Sequence, residues 1–200
     1  MALLLKSSSY LLCMANAATL GSLYLYNTSH FEMHSIASGV VLFNLLEYLY
    51  HRFVLHFTTQ GMIYHYLHGK HHIKPNGRSL HVPMVFLFLL HILYYFSMRL
   101  YFNVNTSSNV GTGITIGYII FENIHKEAHH PYFLSDKNII RNYHMHHHTA
   151  SKFKAFSFSV PTWDIIFGTF PYEFASYNII ALVPIPFVSF LGVHKNINNN

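Results

Sequence analysis

The residues that could do chemistry in this chain are its histidines. There are 18 in 200 residues, and most gather in four groups. These are His51-Arg52-Phe53-Val54-Leu55-His56, His68-Gly69-Lys70-His71-His72, His125-Lys126-Glu127-Ala128-His129-His130 and His144-Met145-His146-His147-His148. His68 with His71 and His72 forms an i, i+3, i+4 set, as does His144 with His147 and His148. His125 and His129 stand four apart. On a helix each set projects from one face, one turn apart, so neighbouring imidazoles can reach one ion or two adjacent ions. His51 and His56 are five apart, a poor spacing for one helical face unless the helix turns or frays there. Imidazole suits zinc, copper, iron and nickel. The ten histidines in these sets exceed what one ion takes, at most about six, and fit two ions of mixed coordination.

A histidine on its own is more often a hydrogen-bonding side chain than a ligand, and His30, His34, His91 and His194 are read that way. A flexible chelating tract is a poor description of the rest, because the groups are interleaved with Leu, Phe and Tyr and tied to the ends of apolar segments. The single cysteine, Cys13, lies in an apolar run, so neither an intrachain disulfide nor a C-x-x-C site is available. Metal binding therefore falls to nitrogen and oxygen. The net charge of +5 forms no basic stripe apart from apolar sequence, which argues against a nucleic-acid partner.

The elements that must position these groups are apolar. Hydrophobic residues make up 52% and charged residues 10%, against about 25% charged in a usual soluble domain. A bilayer core of about 30 Å needs roughly 20 apolar residues as a helix. Four segments come near this: Tyr10 to Tyr26, Met33 to Tyr50, Val82 to Phe102, and the short, glycine-rich Val110 to Ile124. With the N-terminus cytosolic, four spans put both histidine-rich regions on the cytosolic face. Lys6, Arg52, Lys70, Lys74, Arg78, Lys126, Lys137, Arg141, Lys152 and Lys154 then fall on that same face, and the outer loops Asn27–Glu32 and Asn103–Asn109 hold no Lys or Arg. Both outer loops carry a glycosylation triplet, read as chance occurrence in Asn-rich sequence. The expected fold is thus an all-α integral membrane protein, with four transmembrane helices capped by a cytosolic, helical, histidine-rich dimetal domain. Residues 1–200 are taken as one membrane domain. Residues 178–200 form an apolar segment broken by Pro184 and Pro186, then a disordered Asn-rich tail.

Several neighbours are candidates to hydrogen-bond the ligand imidazoles: His65, His81, His130 and His146, together with Glu47 and Glu122, which lie a turn or less before a histidine group. An acid at the end of an apolar span, as Glu47 is, carries function by default. The Trp163-Asp164 pair is a candidate to orient the last histidine group, and a simple interfacial tryptophan is the alternative.

These residues resemble the fatty acid hydroxylase/sterol desaturase superfamily, and within it the fatty acid 2-hydroxylases. The resemblance runs through Glu47-Tyr48 and His51 to His56, then His65 through His68-Gly69-Lys70-His71-His72 with Pro75, Arg78 and Pro83. It continues with Gly117-Tyr118 to His125 and His129-His130, Tyr143-His144 to His147-His148, and Trp163-Asp164-Ile165-Ile166-Phe167-Gly168-Thr169. It covers roughly residues 40–170. It implies ten metal ligands: His51, His56, His68, His71, His72, His125, His129, His144, His147 and His148. It further implies two iron ions, with zinc competing for the same nitrogens. Dioxygen would be the oxidant, with electrons from NAD(P)H through a cytochrome b5-type donor, and the endoplasmic reticulum the location in a eukaryotic host. About nine residues precede the first apolar segment, so the donor is expected as a separate protein. The expected reaction is hydroxylation of a lipid acyl chain, foremost fatty acid or ceramide 2-hydroxylation. The alternatives are sterol or carotenoid oxidation or desaturation, and a non-enzymatic, metal-stabilised membrane protein.

Overall fold

The computed structural model of the chain describes residues 2–56, 68–75, 84–129 and 138–175. Every regular element among them is helical, and none is a strand. In chain order they are α1 (Ala2–Tyr26), α2 (Met33–Leu49), a π-helical turn (Tyr50–Leu55), α3 (Lys70–Ile73), α4 (Met84–Tyr101), α5 (Val104–His129), α6 (Ile139–Thr149), α7 (Thr162–Ile166) and a 3-10 turn (Tyr172–Phe174). They form two compact units, Met1–Glu122 and Asn123–Asn200, and the division falls within α5. Arg78, Pro83, the 178–193 segment and the Asn-rich tail lie outside the described residues.

A helix stands at each of the four apolar segments, with different limits. α1 begins at Ala2, and α5 runs over 26 residues rather than the stretch from Val110 to Ile124. No helix among the described residues is long and apolar enough to cross a membrane. α2 has 17 residues and α4 has 18, about 26 Å each at the helical rise, short of a hydrocarbon core of about 30 Å. α5 is long enough but polar at both ends: Asn105 to Asn109 at one, and Glu122, Lys126 and Glu127 at the other.

In the first unit α2 and α5 meet backbone to backbone. A Cβ on Gly39 would land on the carbonyl oxygen of Val110 and 2.9 Å from the Gly113 Cα; one on Gly113 would land on the Ile36 carbonyl. The same helix takes the Tyr24 ring over Gly111 and the Phe43 ring over Gly117. Tyr24 then meets the rings of His91, Tyr94 and Tyr95 at 6.1–6.5 Å. Tight helix contact here needs residues without side chains, and the rings of α1 and α2 fill the space those glycines leave.

The start of α5 is buried although it is polar. Ser107, Ser108 and Asn109 are fully enclosed. Asn105 Oδ1 accepts hydrogen bonds from Ser29 N, Ser29 Oγ and His30 N, while its Nδ2 donates to Glu32 Oε1. Asn109 Oδ1 accepts from Glu32 N, and its Nδ2 donates to the His30 carbonyl. Two amide side chains thereby satisfy the main chain of the α1–α2 connection, as buried polar groups require. Hydrogen bonds from Ser35, Asn105 and Thr106 hold the Glu32 carboxyl below its usual pKa.

In the second unit α6 begins at an Asn138 cap, whose side chain accepts from Ile140 N and Arg141 N at 3.0 and 3.3 Å. Tyr143, Ala155 and Phe174 form its core, with Ile139 and Phe170 packed against them. Asn138→Ala is expected to cost about 1 kcal/mol, or about 2–4 °C in the thermal midpoint of the chain. An unchanged midpoint would show that α6 does not need this cap.

Candidate metal centre

In the first unit the π-helical turn solves the spacing of His51 and His56. Residues five apart sit about 140° apart around an α-helix, on different faces. In a π-helix the i→i+5 hydrogen bond closes one turn. His56 N donates to the His51 carbonyl at 3.1 Å, and the two rings lie 4.9 Å apart. Arg52 Nη1 donates to the hydroxyl of the fully buried Tyr48 at 2.6 Å, one turn back along the same segment.

Four nitrogens converge there, one each from His51, His56, His68 and His72, all within 4.8 Å of one another. His68 Nε2 faces His51 Nε2 and His72 Nε2, both at 3.0 Å, and His72 Nε2 faces His56 Nε2 at 3.2 Å. An imidazole nitrogen has one position in its ring plane, filled by a proton or by a lone pair. His68 Nε2 can therefore form a hydrogen bond with at most one of its two neighbours, whereas a shared cation would serve all four lone pairs. An edge near 3.0 Å is also what bonds of about 2.1 Å produce when they meet at right angles. The donor set fits a metal ion. His71 is buried beside them, with its ring 5.4 Å from that of His68.

The second unit holds a similar set. Nitrogens of His129, His144 and His148 lie within 4.8 Å of one another. His144 Nε2 faces His129 Nε2 at 2.6 Å and His148 Nε2 at 3.1 Å. The His125 ring stands 4.9 Å from the rings of both His129 and His144, and Phe158 covers it at 5.0 Å. His147 differs: its Nδ1 donates to the Lys154 carbonyl at 2.7 Å. A carbonyl only accepts, so Nδ1 carries the proton and Nε2 the lone pair, the arrangement typical of a metal-binding histidine.

Burial, reinforced by neighbouring imidazoles, holds His68 and His144 well below the ordinary histidine pKa. Burial also pushes His147 down to about 4, against the opposing pull of its hydrogen bond to Lys154. All three thus present neutral rings, the state a metal ion needs.

Of the other candidates, Glu122 is buried and accepts from the Tyr118 hydroxyl at 2.9 Å. Glu47 is buried one turn before His51. His146 is directed to Glu173, 4.0 Å from its carboxylate, and to the Phe174 ring. His65, His81 and His130 lie outside the described residues. Asp164 is completely enclosed and accepts from Tyr143 Oη, Phe156 N, Ser157 N and Thr169 Oγ1. Burial raises its pKa, and these four hydrogen bonds oppose the rise. Beside this network Ala155 adopts φ 58°, in the left-handed region, which costs a non-glycine residue about 1–3 kcal/mol. The Lys154 carbonyl and the left-handed Ala155 escape sequence reading, since a main-chain acceptor leaves no residue-type signal.

An all-helical fold carrying two groups of converging, buried imidazoles defines a class of histidine-rich proteins able to hold metal ions. Within that class the chain belongs to the fatty acid hydroxylase family, whose model matches residues 36–169. It is 31% identical over 143 residues to a dihydroceramide fatty acyl 2-hydroxylase (FAH2) of Arabidopsis thaliana, a match covering 68% of this chain and 60% of that one. It is 30% identical over 140 residues to the fatty acid 2-hydroxylase of Homo sapiens, covering 66% of this chain and 38% of the human one. The matches thus span less than two thirds of these relatives' lengths. Among solved structures, full-length Scs7p, of which only the hydroxylase domain is visible, shares the fold. The TM-score is 0.66 at 22% identity, over 79% of this chain and 63% of that chain.

Proposed function

We propose that the chain is a membrane-embedded, two-iron hydroxylase of lipid acyl chains, acting at the 2-position of a fatty acid or ceramide. The observation that carries this reading is the convergence of buried imidazole nitrogens in each unit of a chain belonging to the fatty acid hydroxylase family. Its relatives' names supply the substrate class and the position of attack.

The ligands in this reading are His51, His56, His68, His71, His72, His125, His129, His144, His147 and His148. Iron held by them supplies oxygen activation and the power to oxidise an unactivated C–H bond. The protein's own part is to hold neutral rings in place, fix the His147 tautomer through Lys154, and keep water away from buried nitrogens. A C–H bond offers no polar handle, so the position of attack depends on how the acyl chain is held. Electrons reach the site from NAD(P)H by way of a cytochrome b5-type donor.

The membrane reading draws on the exposed apolar side chains of the long helices. Met33 and Val41 on α2, and Leu93, Phe96 and Leu100 on α4, are exposed. Such rows mark contact with lipid or partner more often than with water. Together with the charge distribution, they support four helical passes with both histidine regions cytosolic.

The test is lipid mass spectrometry of cells expressing the chain, beside elemental analysis of the purified protein. The expected result is a rise in 2-hydroxy acyl lipid and two metal ions per chain. A product oxidised on a sterol or carotenoid, no product at all, or a folded active sample with a single ion would overturn the reading.

A further inference from the structure

We infer that Asp164 is a positioning residue for metal binding, acting through the main chain of residues 154–157 to fix the tautomer and direction of His147. This rests on reading His147 as a ligand.

The His147–Lys154 hydrogen bond has two ends, and Asp164 holds both. At the ligand end, its Oδ2 accepts from the hydroxyl of Tyr143, one turn before His147 on α6. At the acceptor end, Oδ1 accepts from Phe156 N at 2.9 Å and Oδ2 from Ser157 N at 2.8 Å. Those two amides immediately follow Ala155, whose left-handed conformation gives the chain its local turn just after the Lys154 carbonyl. Ala155 N is itself held by the Thr169 carbonyl at 3.0 Å. Thr169 returns to Asp164 twice, through its amide to the Asp164 carbonyl and through its hydroxyl to Oδ1.

A left-handed alanine persists only where its surroundings over-determine it. Here three successive amides are each fixed, two of them by one carboxylate. Two of the four groups facing that carboxylate are main-chain amides, which only donate, and one meets each oxygen, so both oxygens must accept. Asparagine has nearly the same shape, but in either orientation turns its NH2 toward one of those amides, donor against donor. Asp164→Asn should therefore release the 154–157 turn and with it the carbonyl that keeps the proton on His147 Nδ1.

The experiment is zinc binding to the solubilised full chain, read by competition with a chromophoric chelator. Asp164→Asn is compared in two backgrounds, wild type and His147→Ala. If Asp164 acts through His147, the first comparison shows one bound zinc weakened about 10–100-fold, and the second shows less than about twofold further change, the non-additivity expected of coupled residues. Equal losses in both backgrounds, or none in either, would overturn the inference in favour of a general scaffold role. Should Asp164→Asn fail to accumulate, Thr169→Val removes one donor and keeps the charge; it should show a smaller loss, again absent without His147. Because zinc binding is read apart from turnover, a chain that binds zinc and makes no hydroxylated lipid would defeat the hydroxylase reading alone.

Discussion

Alanine at His68 or at His144 is expected to remove both lipid hydroxylation and tightly bound metal, a larger effect than the roughly 10–100-fold that outer partners of metal ligands cost. Each stands between two other nitrogens of its group. His68 Nε2 touches those of His51 and His72, and His144 Nε2 touches those of His129 and His148. Removing either leaves flanking imidazoles aimed at a gap where their common partner stood. The measurement is hydroxylated lipid and metal per chain at matched membrane expression, beside His34→Ala, an exposed position outside both groups. His91 is a poorer control, because it is buried against Tyr24 and its loss would disturb packing. Full metal content in His144→Ala would refute the assignment.

The second large effect concerns no chemistry at all. Gly39→Ala or Gly113→Ala is expected to destabilise the first unit by about 3 kcal/mol or more, enough to deplete folded protein. Overpacking typically costs about 1–3 kcal/mol when side chains can shift. Here the added methyl group meets the carbonyl oxygen of Val110 or Ile36 on the facing helix, and a helical backbone cannot step aside without separating α2 from α5. Gly21→Ala is the internal contrast, because its Cβ would meet only the Thr115 methyl at 3.4 Å. Thermal midpoints in detergent should fall sharply for the first two and stay near wild type for the third. A normal melt for Gly39→Ala would show that the two helices have room to spare.

Much of this was legible from residue types alone. Four apolar segments became four long helices, and two i, i+3, i+4 histidine sets lie with their rings gathered. What stayed hidden depended on contacts between distant residues. The polar stretch Asn103–Asn109 looks like a loop because hydropathy scores each residue alone. From Val104 onward it is the start of α5, buried from Ser107 to Asn109, and Asn105 and Asn109 find partners among residues 29–32. The Trp163-Asp164 pair was a visible candidate to orient the last histidine group, but the link from Asp164 to His147 runs through a carbonyl and a turn that any sequence could supply. Asn105 also shows why a glycosylation triplet is weak information: its amide is already spent on Glu32.

The π-helical turn at Tyr50–Leu55 makes two phases independent. Upstream of it, the angular position of each α2 side chain is dictated by Gly39 facing α5. Downstream, His56 must face the same point as His51. In an unbroken α-helix one choice would dictate the other, and the apolar seam could not drift without swinging the ligands. One extra residue within the turn acts as a gear change between the two demands. Helix packing and ligand aim can then be adjusted separately, provided the number of residues from His51 to His56 stays fixed. Substitutions at the exposed Phe53 and Val54 should be far better tolerated than the loss or gain of a single residue there.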